Sequence, residues 1–120
     1  EGQGSTPFAA LGTIDQHSQL QLFLAGPKDK SFTLVLPRQA GQGPRLDAAG
    51  VEALSALHGH RIGDVMEASA RAIATTFERH GVPMRVLRTD KLDEEAMGAL
   101  LMRHMAETIG TAALMGVDPY

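Results

Sequence analysis

The sequence lacks cysteine and tryptophan entirely, and only 4% of its 120 residues are Phe, Trp or Tyr. The absence of cysteine excludes disulfide bonds, thiolate zinc sites and cysteine nucleophiles, and it is typical of a cytoplasmic protein. The shortage of aromatic side chains argues against a surface on which nucleic-acid bases would stack. Thiol chemistry and base stacking are therefore not expected of this chain.

Positive charge and long hydrophobic runs are also scarce. The chain carries 11 Lys and Arg residues against 14 Asp and Glu residues, which gives a formal charge of −3. With no basic cluster, this balance argues against nucleic acid or an anionic membrane as the main partner. No apolar run reaches the length of a membrane span. Hydrophobic residues still make up 43% of the chain, enough for the core of one globular domain.

Helical and strand patterns alternate along the chain. The clearest helix begins at Ile62, because apolar side chains recur at helical spacing as far as Phe77, and Gly81 then ends it. The run at 32–36 is rich in apolar and β-branched residues and is closed by Pro37, which predicts a buried strand. The full set of predicted elements is a helix between Gly12 and Gly26, a strand at 32–36, a helix at 48–57, a helix from Ile62 to His80, a strand at 82–89 and a helix that starts within 90–95.

This order predicts an α/β fold, in which helices cover the faces of a parallel sheet. Only two strands are expected, and two parallel strands do not make a self-sufficient sheet because their faces and edges need cover. We therefore expect the 120 residues to be marginally stable alone, or to be completed by further strands or by another chain.

A histidine near the start of the first helix is the candidate catalytic residue. Gly12 permits a turn, and Asp15 can accept hydrogen bonds from the first free backbone N–H groups of a helix. His17 would then lie in or near the first turn, where the positive end of the helix dipole favours the neutral imidazole. A neutral histidine in this position can act as an acid–base group. The alternative is a solvated polar side chain without a chemical role.

Other polar clusters favour structural roles. His58 and His60 lie two residues apart, but no third ligand stands at a convincing spacing, so Gly59 is expected to separate two helices and no metal site is predicted. Three acidic residues at 93–95 would cap the last helix. His104 and Glu107 are three residues apart and could form a surface pair on that helix.

Two stretches carry a family resemblance. Residues 12–27, GTIDQHSQLQLFLAGP, resemble the histidine segment of the glucose-6-phosphate isomerases, particularly the bacterial form. Residues 2–7 are similar to a loop that precedes that segment in the family, and the residues from 92 to the C-terminal Tyr120 resemble its closing helix. The resemblance thus extends over nearly the whole chain.

The resemblance implies a fold and a function. Residues 1–120 would be the C-terminal part of the second sugar-isomerase (SIS) domain of a longer enzyme, with three α/β/α layers around a parallel sheet. Such an enzyme interconverts glucose 6-phosphate and fructose 6-phosphate, in glycolysis and gluconeogenesis, without metal, nucleotide or other cofactor. His17 matches the family histidine that helps to open the sugar ring and that reaches the neighbouring subunit's site, which implies a homodimer.

The resemblance also implies what the chain does not contain. The family's base glutamate, its phosphate-binding loop, its arginine and its lysine all match positions outside the 120 residues, so the chain alone is expected to be inactive. Two alternatives stay open. One is a non-catalytic regulatory SIS domain that binds a sugar phosphate. The Gln16-His17 pair argues against this alternative. The other is an α/β interaction module without small-molecule chemistry.

Overall fold

The computed structural model describes residues 6–119. Most of the segment at residues 2–7 that is similar to a family loop, and Tyr120 at the other end, therefore lie outside the described residues. The elements are helix α1 (Gly12–Ala25), strand β1 (Phe32–Pro37), a short 3-10 helix (Glu52–Leu57), helix α2 (Ile62–Arg79), strand β2 (Met84–Thr89) and helix α3 (Glu94–Met115).

The two strands form a parallel sheet joined by the α2 crossover. Phe32 lies opposite Met84, and the register runs without interruption to Pro37 opposite Thr89. Parallel neighbours need a long connection, which the 3-10 helix and α2 supply. The predicted α/β class is confirmed, and the β1–α2–β2 unit is its centre.

The helices lie on both faces of the sheet. The Phe32 ring contacts Phe77 of α2 with 4.6 Å between centroids, and Phe23 of α1 with 4.9 Å. Arg85 lies on the opposite face, since it is paired in register with Thr33, and it hydrogen-bonds Glu107 of α3 at 2.8 Å. The order is thus α1 and α2, then the sheet, then α3.

The helix predicted at 48–57 is wrong over its first half, since only the 3-10 helix Glu52–Leu57 forms. The Asp47 carboxylate accepts a hydrogen bond from the Ala49 N–H at 3.0 Å, and Gly50 has a left-handed φ of 80°. Such local hydrogen bonds offer the backbone an alternative to a helix. The second strand starts at Met84 rather than at 82, and Pro83 before it has no N–H for a sheet ladder.

The molecule exposes a large surface for its length. Its Cα radius of gyration is 17.9 Å, against about 14 Å expected for a compact domain of this length. Its accessible surface is 9390 Å², against about 6300 Å² for a folded monomer of this size. The buried apolar residues of the described chain are Ala48, Phe77, Val82, Leu87 and Ala112. Within residues 6–119, no helix combines the length and the hydropathy needed to cross a bilayer.

Candidate functional site

Helix α1 begins one turn earlier than the position of Asp15 suggests. The Ile14 and Asp15 N–H groups donate to the Leu11 carbonyl at 3.0 and 2.9 Å, so Leu11 is the N-cap and Gly12 the first helical residue. Asp15 lies within the first turn and accepts a hydrogen bond from the Leu11 N–H. His17 follows two residues later, so it lies at the start of the second turn, close to the first turn as predicted. The helix dipole acts mainly within that first turn.

His17 is exposed on α1, and its imidazole has no hydrogen bond or ion pair with the rest of the described chain. Its neighbour Asp15 is occupied, because it accepts from Gln19 Nε2 at 3.2 Å as well as from Leu11. On α1, Leu20 and Phe23 are half-buried, and the Phe23 ring contacts Phe32 of β1. The arrangement thus leaves the imidazole free to exchange a proton with a group that docks against α1.

The histidines at 58 and 60 occupy a structural turn. His58 Nδ1 accepts a hydrogen bond from the Ala48 N–H at 3.2 Å and lies 3.6 Å from Asp47 Oδ1. Gly59 has a φ of 80° and separates the 3-10 helix from α2, as predicted. His58 therefore links the residues that precede the 3-10 helix to the residue that follows it. Three or more potential metal ligands do not come together anywhere in residues 6–119.

Two carboxylates of α2 fix the loop that follows β1. Asp64 accepts from the Gly41 N–H at 2.7 Å, and Glu67 accepts from the Ala40 and Gln39 N–H groups at 2.9 and 3.2 Å. The backbone N–H of Arg61, followed by that of Gly41, lowers the pKa of Asp64 below its usual value. The pKa of Glu67 is lowered mainly by the Ala40 and Gln39 N–H groups. Both groups are therefore held as anions.

A glycine lets the loop approach α2 this closely. A Cβ on Gly63 would lie 2.0 Å from the Gln39 carbonyl oxygen, so no other residue fits without displacing the backbone. The Gly63 N–H also donates to the Gln42 carbonyl at 3.1 Å. The start of α2 and the loop after β1 therefore form one tightly packed unit.

This unit borders a cavity of about 160 Å³ at the carboxyl ends of the two strands. We call it the carboxyl-edge pocket. Its charged lining consists of Arg38, Glu67, Arg71, Arg88 and Asp90. Sequence reasoning missed this pocket, although a signal was present. Arg38 directly follows the first strand and Arg88 stands at the end of the second, and the carboxyl ends of adjacent parallel strands meet at one edge of a sheet.

On the other face of the sheet, Glu107 connects α3 to β2. It accepts from Arg103 Nε and Arg85 Nη1, each at 2.8 Å, and His104 Nδ1 lies 3.3 Å away, which confirms the predicted pair. The Arg103 and then the Arg85 hydrogen bond lower the pKa of Glu107 to about 2. This cluster anchors α3 and lies apart from His17.

Comparison with known proteins gives a consistent result. A glucose-6-phosphate isomerase from Rubrobacter xylanophilus is 35% identical to the whole chain, which covers 28% of that protein. A probable glucose-6-phosphate isomerase from Natronomonas pharaonis is 38% identical, also over the whole chain and 28% of its own length. A glucose-6-phosphate isomerase from Thermus thermophilus is 31% identical over 98% of the chain and 28% of its own length. No family model matches the chain.

A solved structure supports the same relationship. The crystal structure of a hypothetical protein, also from Thermus thermophilus, aligns with a TM-score of 0.70 and 34% identity, over 76% of this chain and 22% of that one. The chain thus spans little more than a quarter of the length of the curated relatives that it matches. The resemblance read from its motifs is confirmed, and the chain corresponds along its entire length to one segment of the glucose-6-phosphate isomerases.

Proposed function

We propose that these 120 residues serve as the C-terminal part of the second SIS domain of a cytoplasmic glucose-6-phosphate isomerase. The whole-chain similarity to proteins of that name is the observation that carries the proposal. The substrate class that follows is a phosphorylated aldose or ketose. Isomerisation moves a proton between two adjacent carbons, which a general base can do without a metal or nucleotide.

His17 is the residue of this chain to which we give a chemical role. In ring opening, the C1–O5 bond breaks and its electron pair goes to the ring oxygen, which takes a proton, while the C1 hydroxyl loses one. An imidazole can carry both transfers in turn, since one nitrogen can give a proton and the ring can later take one back. The exposure of His17 on α1, without a competing partner among the described residues, supports this role.

The remaining groups of the reaction would come from outside these residues. The resemblance assigns the base glutamate and the lysine to other parts of the enzyme. It also implies that the histidine serves the neighbouring subunit, so the assembled enzyme would be a homodimer. An exposed imidazole, with no base beside it in the described chain, fits a histidine that completes a site formed elsewhere. The isolated 120-residue chain should accordingly be inactive.

The test is an isomerase assay on the natural protein that contains these residues. His17→Ala should reduce the rate on ring-closed glucose 6-phosphate by about 10²–10⁴-fold, the usual contribution of a general acid–base group. The loss should be smaller on substrate that is already open. His60→Ala is the matched control, because His60 is another exposed histidine and lies outside the α1 segment. The 120-residue chain alone is the third sample.

Each outcome bears on a different part of the proposal. An unchanged rate in His17→Ala would contradict the ring-opening role, and activity of the isolated 120 residues would contradict the need for groups from elsewhere. A natural protein that binds a sugar phosphate without converting it would favour a regulatory SIS domain. One that neither binds nor converts it would leave an α/β interaction module.

A further inference from the structure

The carboxyl-edge pocket is independent of the candidate catalytic helix. Its lining comes from the ends of β1 and β2 and from one side of α2, and none of it comes from α1. Phe23 of α1 contacts Phe32, which lies at the amino end of β1, whereas the pocket lies beyond the other end of that strand. A ligand in this pocket would therefore use groups that the proposed isomerisation leaves unused.

Two of the three arginines in the pocket make no direct polar contact in the described chain, although the charge of Arg38 acts on the Glu67 carboxylate at a distance. The guanidinium groups of Arg38 and Arg88 form no hydrogen bond or ion pair with any other residue between 6 and 119, and both residues are exposed. The third, Arg71, is paired with Glu67 at 3.2 Å across one helical turn and is still more than half exposed. By contrast, the guanidiniums of Arg85 and Arg103 both hydrogen-bond Glu107.

The register brings like charges together at this edge. Arg88 is paired with Leu36, and Arg38 follows Leu36 by two residues. Because side chains alternate along a strand, Arg38, Leu36 and Arg88 all lie on the face of the sheet that α2 covers. Guanidiniums that line one cavity repel each other, and an anion bound between them offsets that repulsion. Glu67 interacts with the charge of Arg38, but its carboxylate already accepts from the Ala40 and Gln39 N–H groups and from Arg71, so it neutralises these arginines only in part.

The local balance of charge is opposite to that of the whole chain. Three guanidiniums face two carboxylates in the pocket, whereas the chain has a net charge of −3. A positively charged concave site in an acidic molecule concentrates small anions. The carboxyl ends of parallel strands are also the edge at which open α/β sheets bind their ligands.

We propose that the carboxyl-edge pocket binds a phosphate-type oxyanion, either free phosphate or the phosphoryl group of a small metabolite. Arg38 and Arg88 hold it from the ends of the two strands, and Arg71 contributes from α2. The planar guanidinium presents paired N–H donors that match the oxygens of a phosphate group. A cavity of about 160 Å³ accommodates the oxyanion itself and confines any attached group to its open side.

The experiment is calorimetric titration of the natural protein that contains these residues with sodium phosphate, at constant ionic strength maintained by sodium chloride. Arg88→Gln and Arg38→Gln should each weaken phosphate binding at least about tenfold, as expected when a hydrogen bond to a charged group is lost. Arg79→Gln is the matched control, because Arg79 is an exposed arginine at the end of α2 that does not line the pocket. Far-UV circular dichroism checks that each variant is folded.

Phosphate bound at the family's phosphate-binding loop, which lies outside these residues, should keep its affinity in Arg38→Gln and Arg88→Gln, and this separates it from phosphate in the carboxyl-edge pocket. Phosphate binding that survives His17→Ala and is lost in Arg88→Gln supports the proposal, whatever the isomerase assay gives. A second titration with glucose 6-phosphate distinguishes free phosphate from a phosphorylated metabolite. The proposal is overturned if phosphate gives no saturable heat up to tens of millimolar, or if Arg38→Gln and Arg88→Gln bind as tightly as Arg79→Gln.

Discussion

The β1–α2–β2 unit and the flanking helices differ in how fully their apolar residues are covered. Four of the five apolar residues that are buried within residues 6–119 lie between Phe32 and Thr89, and Phe77 among them is only 2% exposed. On α3, by contrast, Leu101 is 59% exposed and Met105 is 59% exposed. Most of the buried apolar residues thus belong to the β1–α2–β2 unit, whereas α3 has an apolar surface that this chain leaves open to solvent.

This difference fits the lengths of the related proteins. Because the chain corresponds to about 28% of each curated relative, the open surface is what a segment of a larger α/β protein would show. Burial of apolar surface stabilises by about 25 cal/mol per Å², so covering these helices would add substantially to the stability of the unit. Three sets of substitutions test the contrast between the two regions in the natural protein.

The largest effect on stability is expected in the core of the β1–α2–β2 unit. Phe77→Ala should lower the free energy of unfolding by about 3–5 kcal/mol, because it removes a buried ring that contacts Phe32 and leaves a cavity. Chemical denaturation followed by circular dichroism measures the change. Leu101→Ala is the matched variant on α3, and should cost only about 0.5 kcal/mol if that face stays exposed. A loss of similar size at both positions would show that the face of α3 is covered in the natural protein.

Two glycine substitutions should change the stability by smaller amounts and in opposite directions. Gly63→Ala should destabilise by about 1–3 kcal/mol, because its Cβ would collide with the Gln39 carbonyl. Gly98→Ala in α3 should stabilise by about 0.5–1 kcal/mol, since nothing lies within 4 Å of the added Cβ and alanine favours the helix. Thermal denaturation of both variants measures the pair. A harmless Gly63→Ala would refute the close packing of α2 against the loop after β1.

The smallest effect concerns the link between α3 and the sheet. Glu107 has an ordinary pKa of 4.5, and its Arg103 and Arg85 partners lower it to about 2 in the folded protein. Its contribution is therefore fully present above about pH 4.5, and it is lost as the pH falls towards 2. Glu107→Gln should be less stable than the parent at neutral pH, and the two should converge in acid.

Denaturation midpoints measured at several pH values between 2 and 7 test this convergence. Glu95→Gln is the comparison, because Glu95 lies on the same helix and makes no ion pair with another described residue, so it reports the helix-dipole contribution of a first-turn carboxylate alone. If the difference between Glu107→Gln and the parent stays constant across this range, the salt bridges to Arg85 and Arg103 do not stabilise the fold.

Local sequence signals predicted the elements that depend on them. The helical spacing from Ile62 to Phe77, followed by Gly81, produced a helix with the expected ends, since Gly81 has a left-handed φ of 62°. Asp93 caps α3 by accepting from the Ala96 N–H at 2.9 Å, as its acidic start suggested. These features depend on backbone geometry and on residues within one turn of each other, which the sequence contains directly.

The sequence by itself thus determined the α/β class, the extent of α2 and the likeness to the isomerases around His17. Only the tertiary structure decided that Glu67 and Asp64 bind a loop more than 20 residues away, and that Arg38 and Arg88 line one cavity. The physical reason is the range of the contacts. Hydrogen bonds and charges that join distant residues depend on the register of β1 with β2, and that register is set by the packing of α2 across them.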